Sequence, residues 1–172
     1  MTVMEKEQYL LAENYWKQYD ATSAKMTSDA IYKAADAFLA AHNTCVLGTA
    51  CNDLVRCTPI EYNWMDGCFY LLSEGGMKFH ALYVNKRVSM AVFEPYKGFE
   101  DLSSIQISGE AEVLESGCPE YSKVLTFKRI PAEAMKKLSH PMYLIKITPK
   151  KMELLFSDFK KNGFDSRQQI IL

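Results

Sequence analysis

At 172 residues, 48% hydrophobic and 24% charged, the chain has the length and composition of one globular domain with a sizeable core, which excludes the disordered and fibrous classes. A formal net charge of −1, with the basic residues in dispersed pairs such as Lys86-Arg87 and Lys150-Lys151, gives no basic face for a nucleic acid to bind by counterion release. The start Met1-Thr2-Val3-Met4-Glu5-Lys6 lacks a basic region followed by an apolar core, and no apolar run is long enough to cross a bilayer. The expected location is therefore the cytoplasm, with no membrane and no nucleic-acid partner.

The first forty residues read as helical. Glu5 to Tyr19 places Leu10, Leu11, Tyr15 and Trp16 at helical spacing, and Ser28 to His42 does the same with Ile31, Ala35, Phe38 and Leu39 behind a Ser28 cap. The period then changes to that of strands. Thr44 to Cys51 is a β-type run, Asn52-Asp53 a turn, Leu54 to Met65 one long strand, Asp66-Gly67 a hairpin signal and Cys68 to Ser73 the return strand. A short helix over Met77 to Val84, strands over Val88 to Glu94 and Ser103 to Leu114, and short helices over Pro119 to Phe127 and Ala132 to Leu138 follow. Met142 to Thr148 and Lys151 to Phe156 close the pattern as a last pair of strands. Short strands with turn signals and a few helices predict a small antiparallel barrel with helices outside it. Cys45, Cys51, Cys57, Cys68 and Cys118 are an odd set with no Cys-x-x-Cys pair; four lie in strand-like runs and read as buried thiols, not as a disulfide framework or a zinc site.

The stretch from Leu54 to Lys78 carries the chemistry. Arg56 offers a forked set of donors and Lys78 a mobile point charge, both suited to phosphate. Ser73 adds a hydroxyl. Gly75 and Gly76 let the backbone turn tightly toward a ligand, ahead of a helix whose first N–H groups are unpaired. Arg56, Ser73 and Lys78 together point to a phosphorylated cofactor. Taken singly, each has a plainer reading: Arg56 as a surface ion pair with Glu61 or another carboxylate, Gly75-Gly76 as an ordinary turn, Gln106 as an exposed strand residue.

From Cys45 to Glu115, and more loosely to the C-terminus, these residues resemble the pyridoxamine 5'-phosphate oxidase-like family of FMN-binding split barrels. The matching pieces are Arg56-x-x-Pro59, Asp66-Gly67, Ser73-x-Gly75-x-x-Lys78, Asn85-Lys86-Arg87-Val88 and Ile105-Gln106-Ile107-Ser108-Gly109-Glu110-Ala111, in that order. The resemblance implies a mainly β fold with helices, a six-stranded antiparallel split β-barrel. One domain would span 1–172, with a helical segment over 1–42, the barrel over 43–157 and a tail over 158–172. It further implies a homodimer with two FMN molecules at the subunit interface. Arg56, Cys57, Thr58, Pro59 and Ile60 would line the flavin, Leu72, Ser73 and Lys78 would hold its phosphate end, and Gln106 would reach the ring from the facing protomer. Arg167, in Phe164-Asp165-Ser166-Arg167, is the candidate for a flavin contact from the tail, placed either in the dimer groove or, with the tail packed on its own barrel, in solvent.

The chain also departs from the oxidases proper. Glu61 stands where they place a lysine near the phosphate, Phe79 replaces a second basic residue, and no histidine follows Phe156 to recognise pyridoxamine. The expected activity is thus FMN-dependent electron or hydride transfer between a reduced donor and a small molecule other than a B6 vitamer. No side-chain acid or base is singled out; Tyr62, His80 and Arg167 are the polar candidates if one is needed. A flavin-binding or electron-relay module without turnover is the first alternative, and a haem-binding protein of the same fold the second. His42, His80 and His140 have no spacing that demands a metal.

Overall fold

A computed structural model describes residues 3–172; Met1 and Thr2, the first positions of the stretch read above for a targeting segment, lie outside the described residues. Two helices lead: α1 (Lys6–Thr22) and α2 (Ser28–Ala41). The cap of α2 is Thr27, not Ser28, because the Thr27 hydroxyl accepts the Ala30 amide at 3.3 Å. Ile31, Ala35 and Leu39 form its buried stripe, as their spacing requires.

Strands β1 (Thr44–Cys51) and β2 (Leu54–Glu61) form a hairpin, followed by β3 (Asn63–Met65) and β4 (Cys68–Ser73). The run Leu54 to Met65 is therefore two strands, interrupted at Tyr62. Then come α3 (Met77–Val84), β5 (Arg87–Phe93), β6 (Ser103–Leu114), α4 (Pro119–Phe127), α5 (Ala132–Lys136) and β7 (Tyr143–Phe156). A 3₁₀ helix (Ser157–Asn162) and β8 (Arg167–Ile171) end the chain.

All eight strands join one antiparallel sheet in the order β2-β1-β5-β6-β7-β4-β3, with β8 paired to the second half of β7. β2 and β3 sit at opposite ends of this order yet are joined through Tyr62 alone. The sheet must curl until its ends meet, which makes it a split barrel of the predicted kind, with eight strands in place of six. Against the seven strands read from the periodicity, the tail adds one and the divided second strand another. In the opposite sense, the predicted last pair of strands is the single strand β7. Pro149 is tolerated inside it because the β6–β7 register shifts at Ser108/Gly109, beside Pro149. Gly109 is required there, since a Cβ would lie 2.7 Å from the Thr148 carbonyl oxygen.

The interior is filled by Leu47, Phe69, Leu71, Met90, Ile105 and Ile107 from the strands, with Leu39 and Leu82 from α2 and α3. Tyr62 is fully buried, and its hydroxyl donates to the Leu39 carbonyl at 2.9 Å. A second cluster, built by Tyr70 and Leu144 with Tyr121, Val124 and Leu125 of α4, covers the outer side of β4 and β7. β4 is thus buried on both faces, which is why it reads as a continuous apolar run. No helix among the described residues is long and apolar enough to cross a membrane.

Candidate functional site

The phosphate-directed residues come from β2 and from the turn that opens α3. The pairing of β1 with β2 places Arg56, Thr58 and Ile60 opposite Thr49, Leu47 and Cys45, on the inner side of the sheet. Cys57 and Pro59 alternate to the outer side. Because β2 has β1 as its one strand neighbour, its other edge carries free backbone donors and acceptors, and Arg56 is exposed there. The expectation of a buried Cys57 thiol is corrected by the same fact: Cys57 is exposed, whereas Cys45 is buried and its thiol is pushed up to about 12.

The turn is held by its own groups. Gly75 and Gly76 have φ of 127° and 93°, values that glycine adopts without strain. The buried Ser73 hydroxyl accepts the Gly75 amide at 3.3 Å. Lys78 folds back so that its Nζ donates to the Gly75 carbonyl. Burial and the nearby Arg56 guanidinium both lower the Lys78 pKa, so two cations face one another beside this turn. Among the described residues neither takes part in an ion pair. The plain reading of Arg56 as a partner of Glu61 does not hold, for Glu61 binds Lys128 at 2.6 Å. Leu72 packs toward the α4 cluster and lines a depression with Ser73, Glu74, Gly75, Lys78, His140 and Met142, Glu74 being exposed and outside any ion pair with Lys78.

Gln106 and Arg167 belong to a second place. Gln106 points outward from β6 and shares a depression with Ser104, Lys25, Glu153, Arg167 and Gln169. The tail reaches this place by pairing with its own barrel, and there the Arg167 guanidinium lies 4.2 Å from the centre of the Trp16 ring, not in solvent. β6 stands three strands from β2, about 14 Å at ordinary strand spacing. Gln106 also projects from the face opposite Arg56. Within one chain the two groups of residues therefore do not meet.

Among the described residues two buried side-chain atoms lack a partner, Thr49 Oγ1 and Arg167 Nε. One lies across the β1–β2 pair from Arg56, the other in the Gln106 depression. With the two free cations, these unfilled donors fit an anionic cofactor whose ring bears acceptors. Sequence reasoning missed Thr49, His140 and Trp16 because each is brought in by tertiary contacts and carries no local motif. Tyr62, one of the acid or base candidates, is buried in the core with its pKa raised by burial. Of the histidines, His42 spends both ring nitrogens, on the Phe38 carbonyl at 2.6 Å and Glu94 at 2.7 Å, while His80 is exposed on α3.

A family model described as pyridoxamine 5'-phosphate oxidase matches residues 31–156, most of the chain. The chain belongs to the pyridoxamine 5'-phosphate oxidase-like family. Solved members of this fold agree in architecture. A FAD-binding protein from Mesorhizobium loti matches at a TM-score of 0.56 and 20% identity, covering 70% of this chain and 89% of its own. HutZ, a heme storage protein from Vibrio cholerae, matches at a TM-score of 0.56 and 16% identity over 72% of this chain and 91% of its own. Campylobacter jejuni ChuZ reaches a TM-score of 0.65 at 17% identity, over 86% of this chain and 61% of its own. At such identities the likeness shows the fold. No curated protein matches the chain in sequence.

Proposed function

We propose that the protein is an FMN-binding oxidoreductase that works as a homodimer, moving electrons or hydride between a reduced donor and a small acceptor. The observation that carries this reading is the pair of unneutralised cations, Arg56 and Lys78, beside a serine and two glycines with positive φ. Holding two like charges together with no ion-pair partner costs free energy, and a bound phosphate group recovers it. In this reading Arg56, Ser73 and Lys78 hold the phosphate, with Leu72 beneath it. The free edge of β2, from Cys57 to Ile60, offers backbone groups to the ring. Gln106 and Arg167 of the second copy complete the site, which accounts for their distance from Arg56 in one chain.

The flavin supplies two-electron chemistry when bound; the chain supplies grip, orientation and a fixed electrostatic field. The dimer reading is supported by the outer face of β2, β1, β5 and β6, where Val55, Gly48, Ala50 and Ser89 line a mainly apolar hollow bordered by Arg56, Arg87, Glu110 and Lys150. A haem-binding reading is favoured by one observation, the likeness to a heme storage protein. The absorbance spectrum of freshly purified protein separates the two. Flavin bands, or their appearance with retained FMN after addition and gel filtration, are expected. A haem Soret band would favour the second reading, and a colourless protein that takes up no FMN would overturn the first.

A further inference from the structure

Helix α1 has no buried residue, yet its C-terminal turns grip the tail at several points. The Trp16 ring stacks on the Arg167 guanidinium at 4.2 Å. Tyr19 donates its hydroxyl to Asp165 Oδ2 at 2.7 Å, and Asp165 Oδ1 in turn accepts the Arg167 amide at 2.9 Å. Lys25, just after the helix, donates to the Arg167 carbonyl at 3.2 Å, and the Gln168 side chain binds both Ala24 and Met26. Burial works against the Asp165 charge, but the Arg167 amide and the Tyr19 hydroxyl still hold its pKa below the usual value. Every part of Arg167 is therefore fixed except its side-chain donors. The guanidinium makes no hydrogen bond among the described residues, and its Nε is buried and unpartnered. A side chain so constrained and so unsatisfied is set up for an acceptor from outside the chain. It shares its depression with Gln106 and with Asp20 and Glu153, whose carboxylates are engaged by Lys25 and Lys151, so whatever meets Gln106 meets Arg167.

We infer that Trp16 is a positioning residue, whose indole face holds the Arg167 guanidinium against the Gln106 depression so that helix α1 fixes the positive charge presented to the flavin ring. The inference rests on the FMN reading. A cation at the ring favours the electron-rich reduced cofactor over the oxidised one. Losing the cation weakens the reduced form selectively, and so does losing the surface that orients it. Phe at position 16 keeps an aromatic face and keeps the effect.

The test uses the full-length, FMN-loaded protein and measures its midpoint potential by equilibration with reference dyes. Arg167→Ala and Trp16→Leu are each expected to cost the reduced flavin about tenfold in relative affinity, a shift of about 30 mV toward negative potential for a two-electron couple. Trp16→Phe should match the wild type, and the double variant Trp16→Leu/Arg167→Ala should shift no further than Arg167→Ala alone. A wild-type potential in Trp16→Leu, or additive shifts in the double variant, overturns the inference while leaving the FMN reading intact. The stacking is also tested without cofactor. The Arg167 Nε–H resonance should be ring-current shifted in the wild type and Trp16→Phe but not in Trp16→Leu, and an unshifted wild-type signal overturns the inference whatever the protein binds. A chain that retains the stack but takes up no flavin refutes the FMN reading and the role built on it.

Discussion

At the scale of single residues, Lys78 is the most exposing test of the phosphate site. Lys78→Ala should weaken FMN by about 1.5–3 kcal/mol, the usual worth of a hydrogen bond to a charged group, and weaken riboflavin far less. Isothermal titration with both ligands checks this, and equal losses would refute the phosphate assignment. Glu61→Lys should leave FMN affinity unchanged, because Glu61 is engaged with Lys128; its expected effect is a small loss of thermal stability. The lowered Lys78 pKa adds a pH dependence with a definite sign. Lys78 must be charged to attract phosphate, and binding the anion raises its pKa again. FMN affinity should therefore fall as pH rises through the lowered value, below the ~10.4 of an unperturbed lysine, while riboflavin affinity stays level. Arg56, Ser73 and Lys78 were legible in the sequence because local turn chemistry joins them within one hairpin and one helix start. Trp16 and Arg167 were not, since their stacking depends on β8 docking far from either in the chain.

Among the elements, β8 changes what the tail does. It pairs with Lys151–Leu155 of β7, and its buried Gln168 replaces backbone partners for Ala24 and Met26. Deleting Asn162 to Leu172 would uncover that stretch of β7 as an open edge. The expected loss is about 3 kcal/mol, roughly 6–12 °C in thermal midpoint, together with aggregation. An unchanged midpoint with lost flavin would instead confine the tail's part to the site. The sequence hid β8 because Arg167-Gln168-Gln169 lacks the apolar alternation of a strand, its one fully inward residue being a glutamine. It hid the continuity of β7 because a proline ordinarily ends a strand, and only the facing Gly109 makes room. The other strands and the helices were legible from periodicity, since each has one face committed to the core.

The whole molecule leaves a mainly apolar hollow with charged borders on its outer sheet face, with Val55 at 73% exposure in its lining and Phe93 at 56% further along β5. A two-fold dimer would cover this face and bring Gln106 of one copy toward Arg56 of the other. Sedimentation should report a dimer, with or without FMN, and Ala91→Glu on the outer face of β5 should produce monomers that lose FMN. A stable FMN-loaded monomer would contradict the arrangement. One further property of the whole molecule resides in Tyr62. Arg56, Thr58 and Ile60 face inward before it, and Trp64 packs on the core after it, so the alternation passes through the break without losing count. The link therefore tolerates changes of side chain far better than changes of length. Removing or duplicating one residue at Tyr62 turns β3 inside out relative to β2, setting Asn63 and Met65 in place of Trp64. A scan of single-residue insertions and deletions should find this position as intolerant as the middle of β6, while the same changes in the Tyr96–Asp101 loop pass unnoticed in a solubility screen.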